Sequence, residues 1–407
     1  MTYPRSLEHL IRDSKIKDKM LILAGPRQVG KTTLAEQWLK ETKNENLYFN
    51  WDEEQIRRAF RKEANFFESQ ARQYHGKPRI VFDEIHKISR WRTVLKGYYD
   101  RFHKDFDFFI TGSAKLELLQ KTGDSMLGRY HLLHLLPLTP HEVERKKVFP
   151  FTENFQKHYK DHLKKTPLGQ RTIVSLLKFS GFPEPFSKAN QRSLNLWHRE
   201  YRQRIIREDL RDLTRLHDLS RVENCFEILP SKVSSPLSLN SLREDLLCSY
   251  DAVGSIISAF EKLYVILKLR PFSKKIQNAI KKEPKVYFLD WTYVQNDGAR
   301  FENFLAIQLK NYCNLLSDGG WGEFELFYVR DKQKREVDFL VTRESEPYFL
   351  VEAKLQEDKD PETIQHFSKQ LGNIPCFCVT LEEKVFRKIK EDCFVVSVNR
   401  FLNTLWQ

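Results

Sequence analysis

The chain has 407 residues, of which 41% are hydrophobic, 13% aromatic and 30% charged, and its formal net charge is +13. A chain of this length usually needs more than one hydrophobic core, and its composition excludes a largely disordered protein. The first residues lack a continuous apolar segment, and no apolar stretch of about 18 residues occurs, so we expect a cytosolic protein without membrane contact. The six scattered cysteines include no C-x-x-C pair, which favours reduced thiols over a disulfide framework or a zinc site.

The charge is uneven along the chain. Residues 141–285 carry 28 Lys and Arg against 17 Asp and Glu, whereas residues 1–140 carry 25 against 18 and residues 286–407 carry 15 against 20. A polyanion such as DNA is therefore expected mainly on the basic middle, with a solvated basic surface as the alternative. We predict an α/β protein of three domains, over 1–140, 141–285 and 286–407.

A phosphate-binding loop is predicted near the N-terminus. The apolar run over 20–24 leads into a full G-x-x-x-x-G-K-[ST] motif that opens a predicted helix. Backbone N–H groups of such a loop bind phosphates, Lys31 would bridge the β- and γ-phosphates, and Thr32 would ligate Mg²⁺. ATP and Mg²⁺ are thus the expected substrate and cofactor. The predicted nucleotide-binding residues of this segment are Gly25, Pro26, Arg27, Gln28, Val29, Gly30, Lys31, Thr32 and Thr33.

A second buried strand, over 79–82, ends in two carboxylates. Asp83 is predicted to hold the magnesium shell, and Glu84 to polarise the attacking water. An acidic residue directly after the metal-holding Asp favours a hydrolytic ATPase over a small GTPase switch.

The strand predicted over 106–111 ends in hydroxyl residues. We assign Ser113 to sensing the nucleotide state, with Thr111 as the alternative. Asn50 and Asp52 follow another short strand and are weaker candidates for lining the same cleft, because ordinary turn chemistry explains them better.

Four segments of the sequence resemble an AAA-type ATPase clade of bacteria and archaea. They are GPRQVGKTTL, IVFDEIHKI, FFITGSAKLELL and MLGRYHLLHLLPLTPHE. In that clade an ATPase domain precedes a C-terminal domain of unknown function, and the resemblance covers nearly the whole chain. It implies an AAA-type parallel sheet with helices. By analogy, Arg129 in the element Leu127-Gly128-Arg129 reaches a nucleotide in cis or acts as an arginine finger on a neighbour in a homo-oligomeric ring. A pairing of Arg129 with a local carboxylate is the alternative.

The basic middle has a helix-turn-helix rhythm. Helices are predicted over 222–233, 239–246 and 251–267, and a basic hairpin follows them, which together outline a winged helix. In the third helix, only serines and Lys262 could recognise base edges through polar contacts. We therefore expect binding to the phosphate backbone of DNA, with inter-subunit packing as the alternative. The predicted DNA-binding residues are Lys274, Lys275, Lys281 and Lys282.

From about residue 286, short strands alternate with helices, and carboxylates fall at their ends. Asp338 precedes Glu352-Ala353-Lys354 by 14 residues. Nucleases of the restriction-endonuclease type use an Asp and a Glu to share Mg²⁺ and a Lys to orient the water, and Glu302 would complete the metal shell. The family resemblance likewise implies a restriction-endonuclease-like PD-(D/E)xK fold here. An intact nuclease and a fold retained for binding or assembly remain equal alternatives.

These features together predict an ATP-hydrolysing protein that acts on DNA. One alternative is a nucleotide-dependent regulatory switch whose C-terminal domain is a non-cleaving interaction module. Another is a remodeller of DNA strands or junctions that does not cut them.

Overall fold

The computed structural model describes residues 2–13, 16, 18–112, 126–144, 155–210, 218–273, 283–359 and 361–406. The chain forms two compact units, one over Thr2–Leu136 and the other over Pro137–Gln407. Each unit contains helices and at least one sheet, so the predicted α/β class is confirmed. No helix in the described part of the chain is both long and apolar enough to span a membrane.

A parallel sheet forms the centre of the N-terminal unit. Its strands are β1 Met20–Ala24, β2 Tyr48–Asn50, β3 Arg79–Asp83, β4 Asp107–Thr111 and β5 Tyr130–His134. They lie in the order β2-β3-β4-β1-β5, and every neighbouring pair is parallel. Short, continuous apolar runs are typical of strands that are covered on both faces. The strands predicted at 20–24 and 79–82 are therefore present, and the one predicted over 106–111 begins one residue later.

Helices and an aromatic core support this sheet. The helices are α1 Glu8–Arg12, α2 Lys31–Lys40, α3 Glu54–Lys62, α4 Glu68–Ala71 and α5 Trp91–Phe102. Phe67 is fully buried, and its ring centroid lies 4.9 Å from that of Tyr98 and 5.3 Å from that of Phe82. Burying aromatic side chains of this size contributes about 2 kcal/mol each. The strand ends that carry the predicted site residues therefore rest on a closely packed core.

The C-terminal unit begins with a helical region that is followed by a two-stranded ladder. Its helices are α6 Pro140–Val143, α7 Phe155–His162, α8 Gln170–Phe179, α9 Pro183–Lys188, α10 Gln191–Arg204, α11 Leu219–Ile228, α12 Leu239–Asp245 and α13 Tyr250–Lys262. A π-helical turn, Ile205–Asp209, extends α10. Strands β6 Ile266–Leu269 and β7 Lys285–Phe288 are antiparallel.

The helix predicted over 251–267 is shorter than expected. It ends at Lys262, and Tyr264 adopts a left-handed conformation with φ of +57°. A residue with positive φ commonly terminates a helix, because it redirects the chain after the last turn. The apolar residues beyond it then pair as a strand, with Ile266 opposite Phe288. Apolar spacing alone could not separate these two outcomes.

A mixed sheet completes the C-terminal unit. It contains β8 Phe324–Arg330, β9 Glu336–Arg343, β10 Glu346–Lys354, β11 Cys376–Thr380, β12 Phe386–Lys390 and β13 Cys393–Ser397 in the order β12-β13-β11-β10-β9-β8. Strands β10, β11 and β13 are mutually parallel, whereas β8, β9 and β12 pair antiparallel with their neighbours. The helices are α14 Asp297–Asp318, α15 Glu362–Gln370 and α16 Val398–Leu405. The Asn296 side chain caps α14 by accepting a hydrogen bond from the Ala299 N–H.

Candidate functional site

The loop between β1 and α2 has the backbone of a phosphate cradle. Gly25, Gln28 and Gly30 have φ of +150°, +60° and +105°, and α2 begins at Lys31. Positive φ values turn successive N–H groups toward one side of a loop, and the N-terminal end of the helix adds its partial positive charge. A Cβ at Gly25 would lie 2.1 Å from the Leu135 carbonyl oxygen, so only glycine fits there.

Lys31 and Thr32 are directed into the site. The buried Lys31 ammonium donates to the carbonyl oxygens of Gly25 at 2.9 Å and Pro26 at 2.6 Å. The Thr32 hydroxyl donates to Asp83 Oδ2 at 3.0 Å. The predicted P-loop and strand-end residues are thus brought together, although 51 positions separate Thr32 from Asp83 along the chain.

Asp83 is held by hydroxyl groups from both neighbouring strands. The Tyr48 hydroxyl donates to Asp83 Oδ2 at 2.5 Å, and the Thr111 hydroxyl donates to Oδ1. Because β3 lies between β2 and β4, these side chains reach the carboxylate from opposite sides. Burial and the Asp83 charge raise the pKa of Tyr48, so the phenol keeps the proton that it donates. Sequence reasoning missed Tyr48, because only the strand order reveals that it neighbours Asp83.

Glu84 follows β3 in a left-handed conformation, with φ of +58°. Its N–H donates to the Thr111 carbonyl at 3.1 Å, which fixes the backbone at the sheet edge. Burial and the adjacent Asp83 charge raise the pKa of Glu84 to about 7, against the opposing effect of Lys31. A carboxylate that titrates near neutrality is suited to accept a proton from water.

These residues fit ATP and Mg²⁺. A hydroxyl and a carboxylate 3.0 Å apart, from Thr32 and Asp83, are the hard oxygen donors that Mg²⁺ prefers. Bound there with ATP, Mg²⁺ would neutralise phosphate charge. Lys31 and the loop N–H groups supply the complementary positive charge. Pro26, Arg27, Val29 and Thr33 belong to the same loop or to the first turn of α2.

Arg5 stabilises the P-loop through hydrogen bonds to its backbone. The sequence did not predict this role. The Arg5 side chain is 7% exposed, and it donates to the backbone carbonyls of Val29, at 2.8 Å, and Leu136. Arg5 therefore ties the phosphate loop to the segment that follows β5. An isolated arginine 20 residues before a P-loop glycine carries no recognisable sequence signal.

The remaining N-terminal candidates have other partners or lie outside the described residues. Arg129 Nε donates to Asp100 Oδ1 at 2.6 Å, and this hydrogen bond lowers the pKa of Asp100. Asp52 pairs with Lys87, and Asn50 accepts from the Asp52 N–H. Ser113 lies outside the described residues. For Arg129 the local ion pair is thus present, and its predicted role in a ring is not tested.

An exposed basic face lies on α10 in the middle of the chain. Leu194, Trp197 and Tyr201 form its buried side, whereas Arg192 and Arg199 are exposed. The two arginines are seven residues apart, so they lie on one face, opposite the buried side. The four lysines of the predicted hairpin, Lys274, Lys275, Lys281 and Lys282, lie outside the described residues.

A buried lysine occupies the centre of the C-terminal carboxylate cluster. Lys285, the first residue of β7, is 0% exposed, and its Nζ lies 3.1 Å from Glu302 Oε1 and 3.3 Å from Asp338 Oδ1. It also lies 2.6 Å from Glu336 Oε1. Burial alone would lower the pKa of Lys285, but the three carboxylates raise it, so the amine is charged. Burial, with the Asp338 charge, raises the pKa of Glu302 to about 7.

Glu352 and Lys354 form a separate pair on β10. Lys354 Nζ lies 2.8 Å from Glu352 Oε1, and burial raises the pKa of Glu352. Asp338 joins β9 to β10, because its Oδ2 accepts from the Ala353 N–H at 3.0 Å. Within the ranges that the structure describes, no group of three His, Cys, Asp or Glu residues is placed to hold a metal ion.

The predicted metal site of Glu302, Asp338 and Glu352 therefore does not fit Mg²⁺ in this arrangement. A lone charged residue in the apolar strand KVYF was the sequence signal that could have identified Lys285, since a buried charge needs a partner.

Three family models match successive parts of the chain. Residues 17–144 match an AAA domain. Residues 170–294 match the domain of unknown function DUF8612, and residues 297–401 match the domain of unknown function DUF4143.

Relatives occur in archaea and bacteria. An uncharacterized protein of Methanocaldococcus jannaschii is 26% identical over 402 residues, covering 94% of this chain and 87% of the relative. An uncharacterized protein of Mycobacterium tuberculosis is 23% identical over 344 residues, covering 81% of this chain and 69% of the relative.

Several solved structures resemble this chain, among them the following two. One is the Aeropyrum pernix ORC1 protein in complex with DNA, with a TM-score of 0.31, 17% identity, and coverage of 75% of this chain and 91% of that one. The other is AMPPCP-bound DnaA from Aquifex aeolicus, with a TM-score of 0.26, 16% identity, and coverage of 63% and 86%. The family match and the geometry of the phosphate loop thus agree that residues 17–144 are similar to a P-loop domain of the AAA type.

Proposed function

We propose that this protein uses ATP hydrolysis in its N-terminal domain to act on DNA, which its basic middle segment binds through the phosphate backbone. The observation that carries the ATPase part is the convergence of Lys31, Thr32, Asp83 and Glu84 at one sheet edge. The DNA part rests on the charge of the middle segment, with 28 Lys and Arg against 17 Asp and Glu over 141–285.

Each ATPase residue has a separate role. Lys31 exchanges its hydrogen bonds to the Gly25 and Pro26 carbonyls for bonds to phosphate oxygens when the nucleotide binds. Thr32 and Asp83 hold Mg²⁺, and the Tyr48 and Thr111 hydroxyls keep the Asp83 carboxylate oriented. Glu84 accepts a proton from the attacking water.

The exposed face of α10 supports phosphate contacts. Besides Arg192 and Arg199, the exposed side of α10 carries Asn195, Leu196 and Gln203, and one exposed carboxylate, Glu200, lies at its border. The succession of α11, α12 and α13 followed by the β6–β7 ladder supports a winged-helix interpretation. Such a surface would bind duplex DNA without reading its sequence.

We propose that the C-terminal domain binds nucleic acid or a partner without cutting. The neighbouring positions of Asp338 and Ala353 on β9 and β10 support the restriction-endonuclease-like interpretation of its fold. The Lys285 ammonium between Glu302 and Asp338 opposes metal-dependent cleavage. A retained nuclease-like fold with a different chemistry is consistent with both observations.

The DNA proposal is tested by charge reversal on α10. Arg192→Glu with Arg199→Glu removes two phosphate contacts, and Arg58→Glu with Arg61→Glu on exposed positions of α3 changes the net charge equally. Binding of a labelled duplex is followed by fluorescence anisotropy at several salt concentrations. We expect the α10 variant alone to lose affinity and to lower the slope of log K against log salt by about 2.

ATP hydrolysis is measured on the same proteins with duplex, single-stranded and branched DNA. Lys31→Ala should abolish hydrolysis, whereas Asp338→Ala should leave both hydrolysis and DNA intact. If no DNA is bound and none changes the rate, the DNA proposal is wrong, and a nucleotide-dependent switch that acts on a protein partner takes its place.

A further inference from the structure

The C-terminal carboxylate cluster contains its own cation. Lys285 Nζ lies between the side-chain oxygens of Glu302, Glu336 and Asp338, at 3.1, 2.6 and 3.3 Å. The lysine side chain is 0% exposed, and the three carboxylate side chains are 12%, 22% and 17% exposed. This is a buried ion cluster rather than a surface pairing, because solvent reaches none of its members freely.

The ammonium donates hydrogen bonds to Glu302 and Asp338 and is ion-paired with Glu336. An ammonium has three N–H donors and no acceptor, and three carboxylates surround this one. The Tyr287 hydroxyl donates to Glu302 Oε1 at 2.7 Å, and the Tyr328 ring centroid lies 5.7 Å from Lys285 Nζ. Glu302 Oε1 therefore already accepts from two donors, and a tyrosine ring lies beside the cation.

The other two members of the predicted metal set, Asp338 and Glu352, also contact groups of the protein. Asp338 Oδ2 accepts from the Ala353 N–H at 3.0 Å, so both Asp338 oxygens have partners. Glu352 Oε1 lies 2.8 Å from Lys354 Nζ, whereas its Oε2 is buried and accepts no hydrogen bond from the described residues. A divalent ion between Glu302 and Asp338 would have to displace Lys285, since two cations at that distance repel strongly in a buried site.

Backbone pairing fixes Lys285 in this position. It begins β7 and pairs with Leu269 of β6 on one side, and it forms a bridge to Pro236 on the other. The Leu237 N–H donates to the Pro284 carbonyl at 2.7 Å. The main chain around Lys285 is thus held from two directions, and its side chain is aimed at the cluster.

We propose that Lys285 takes the place of a divalent metal ion in the C-terminal domain, so that the native protein binds no metal at the Glu302–Asp338 cluster. The positive charge that nuclease-type sites obtain from a bound ion is covalently built into β7. Removing that charge leaves three carboxylates without their cation, and these then become a binding site for a divalent cation. This inference concerns the C-terminal cluster alone and does not depend on DNA binding or on ATP hydrolysis.

The test uses Mn²⁺ alone as the probe, on the full chain without nucleotide. Binding is followed by the decrease of the free-Mn²⁺ electron paramagnetic resonance signal. The proteins are the native chain, Asp338→Asn, Lys285→Met, Lys285→Arg and the double variant Lys285→Met with Asp338→Asn. Because the N-terminal site also contains carboxylates, only binding that Asp338→Asn removes is assigned to the cluster. Circular dichroism establishes that each variant is folded.

We expect no Asp338-dependent binding by the native chain up to ~1 mM Mn²⁺, the weak end of protein sites for divalent cations. Lys285→Met should bind Mn²⁺ at least about tenfold more tightly, the double variant should lose that binding, and Lys285→Arg, which keeps the charge, should resemble the native chain. Asp338-dependent binding by the native chain would overturn the proposal, as would a folded Lys285→Met variant without a gain. If Lys285→Met does not fold, the native chain and Asp338→Asn still decide the question.

Discussion

Glu84 provides a prediction in which stability and catalysis change in opposite directions. Its side chain is 22% exposed, and burial together with the neighbouring Asp83 charge raises its pKa from the ordinary 4.5 to about 7. Glu84→Gln keeps the shape of the side chain but removes the charge. The native N-terminal unit should therefore be less stable than that of the variant at every pH at which Glu84 is ionised. The variant should also hydrolyse ATP far more slowly.

The size and pH range of the stability effect follow from the pKa change. A carboxyl group whose pKa is higher in the folded state stabilises that state below pH 4.5 and loses this contribution as the pH rises through about 7. A difference of roughly 2.5 pKa units corresponds to about 3 kcal/mol. Glu84→Gln should therefore have about the native stability at pH 4.5 and be about 3 kcal/mol more stable at pH 8, without nucleotide or Mg²⁺.

Hydrogen exchange of the β1 and β4 amides measures the opening free energy of this unit directly, separately from the C-terminal unit. Glu63→Gln, which changes an exposed carboxylate of the same unit, is the matched control and should show no pH-dependent gain. ATP turnover of Glu84→Gln should fall by a factor of about 10² to 10⁴, the usual contribution of a general base, while ATP affinity stays within about threefold. A stability difference that is the same at both pH values would refute the buried-charge explanation, and unchanged turnover would refute the role of Glu84 in activating water.

Three further changes test how the P-loop is held. Lys31→Ala should weaken binding of a fluorescent ATP analogue at least about tenfold, because it removes the buried ammonium; native affinity would exclude Lys31 from phosphate binding. Gly25→Ala should destabilise the N-terminal unit by more than ~3 kcal/mol in urea unfolding, since its Cβ would lie 2.1 Å from the Leu135 oxygen; near-native stability would contradict this packing. Arg5→Met should lower the free energy of unfolding by about 3 kcal/mol, because it removes two buried hydrogen bonds from a charged group. The control Arg12→Met, at an exposed position, should lower it by less than ~1 kcal/mol. Equal losses would show that Arg5 does not stabilise the loop.

The ATP site was largely predictable because its residues occur at the ends of short, recognisable segments. Strand β1, the phosphate loop and the start of α2 are continuous in sequence, so the motif carries its own structural context. Asp83 and Glu84 follow a second apolar run in the same way. Parallel strands bring their carboxyl ends to one edge, and two local patterns therefore predicted a contact between residues 51 positions apart.

The groups that orient this site required the order of the strands. Tyr48 and Thr111 both donate to Asp83 because β2 and β4 flank β3. Sequence order places β1 before β2, yet β1 lies on the far side of β4 in the sheet. No local pattern specifies that crossover, so the sequence does not predict that Tyr48 or Thr111, the alternative candidate for nucleotide sensing, contacts the Asp83 carboxylate.

In the C-terminal unit, a residue spacing typical of a metal site occurs together with a buried lysine that the spacing does not predict. Asp338, Glu352 and Lys354 occur on β9 and β10 as the D-x13-E-x-K pattern predicts, and β9 and β10 are neighbouring antiparallel strands. The pattern does not include Lys285, which lies 53 positions before Asp338 and contacts it from the first position of β7. A buried +1 charge within 3.3 Å of two proposed metal ligands changes the electrostatic potential at that point by several kcal/mol per unit charge. We therefore infer that the side chain supplied by β7, in addition to the spacing of the carboxylates, determines whether this cluster holds a metal ion or an ammonium group.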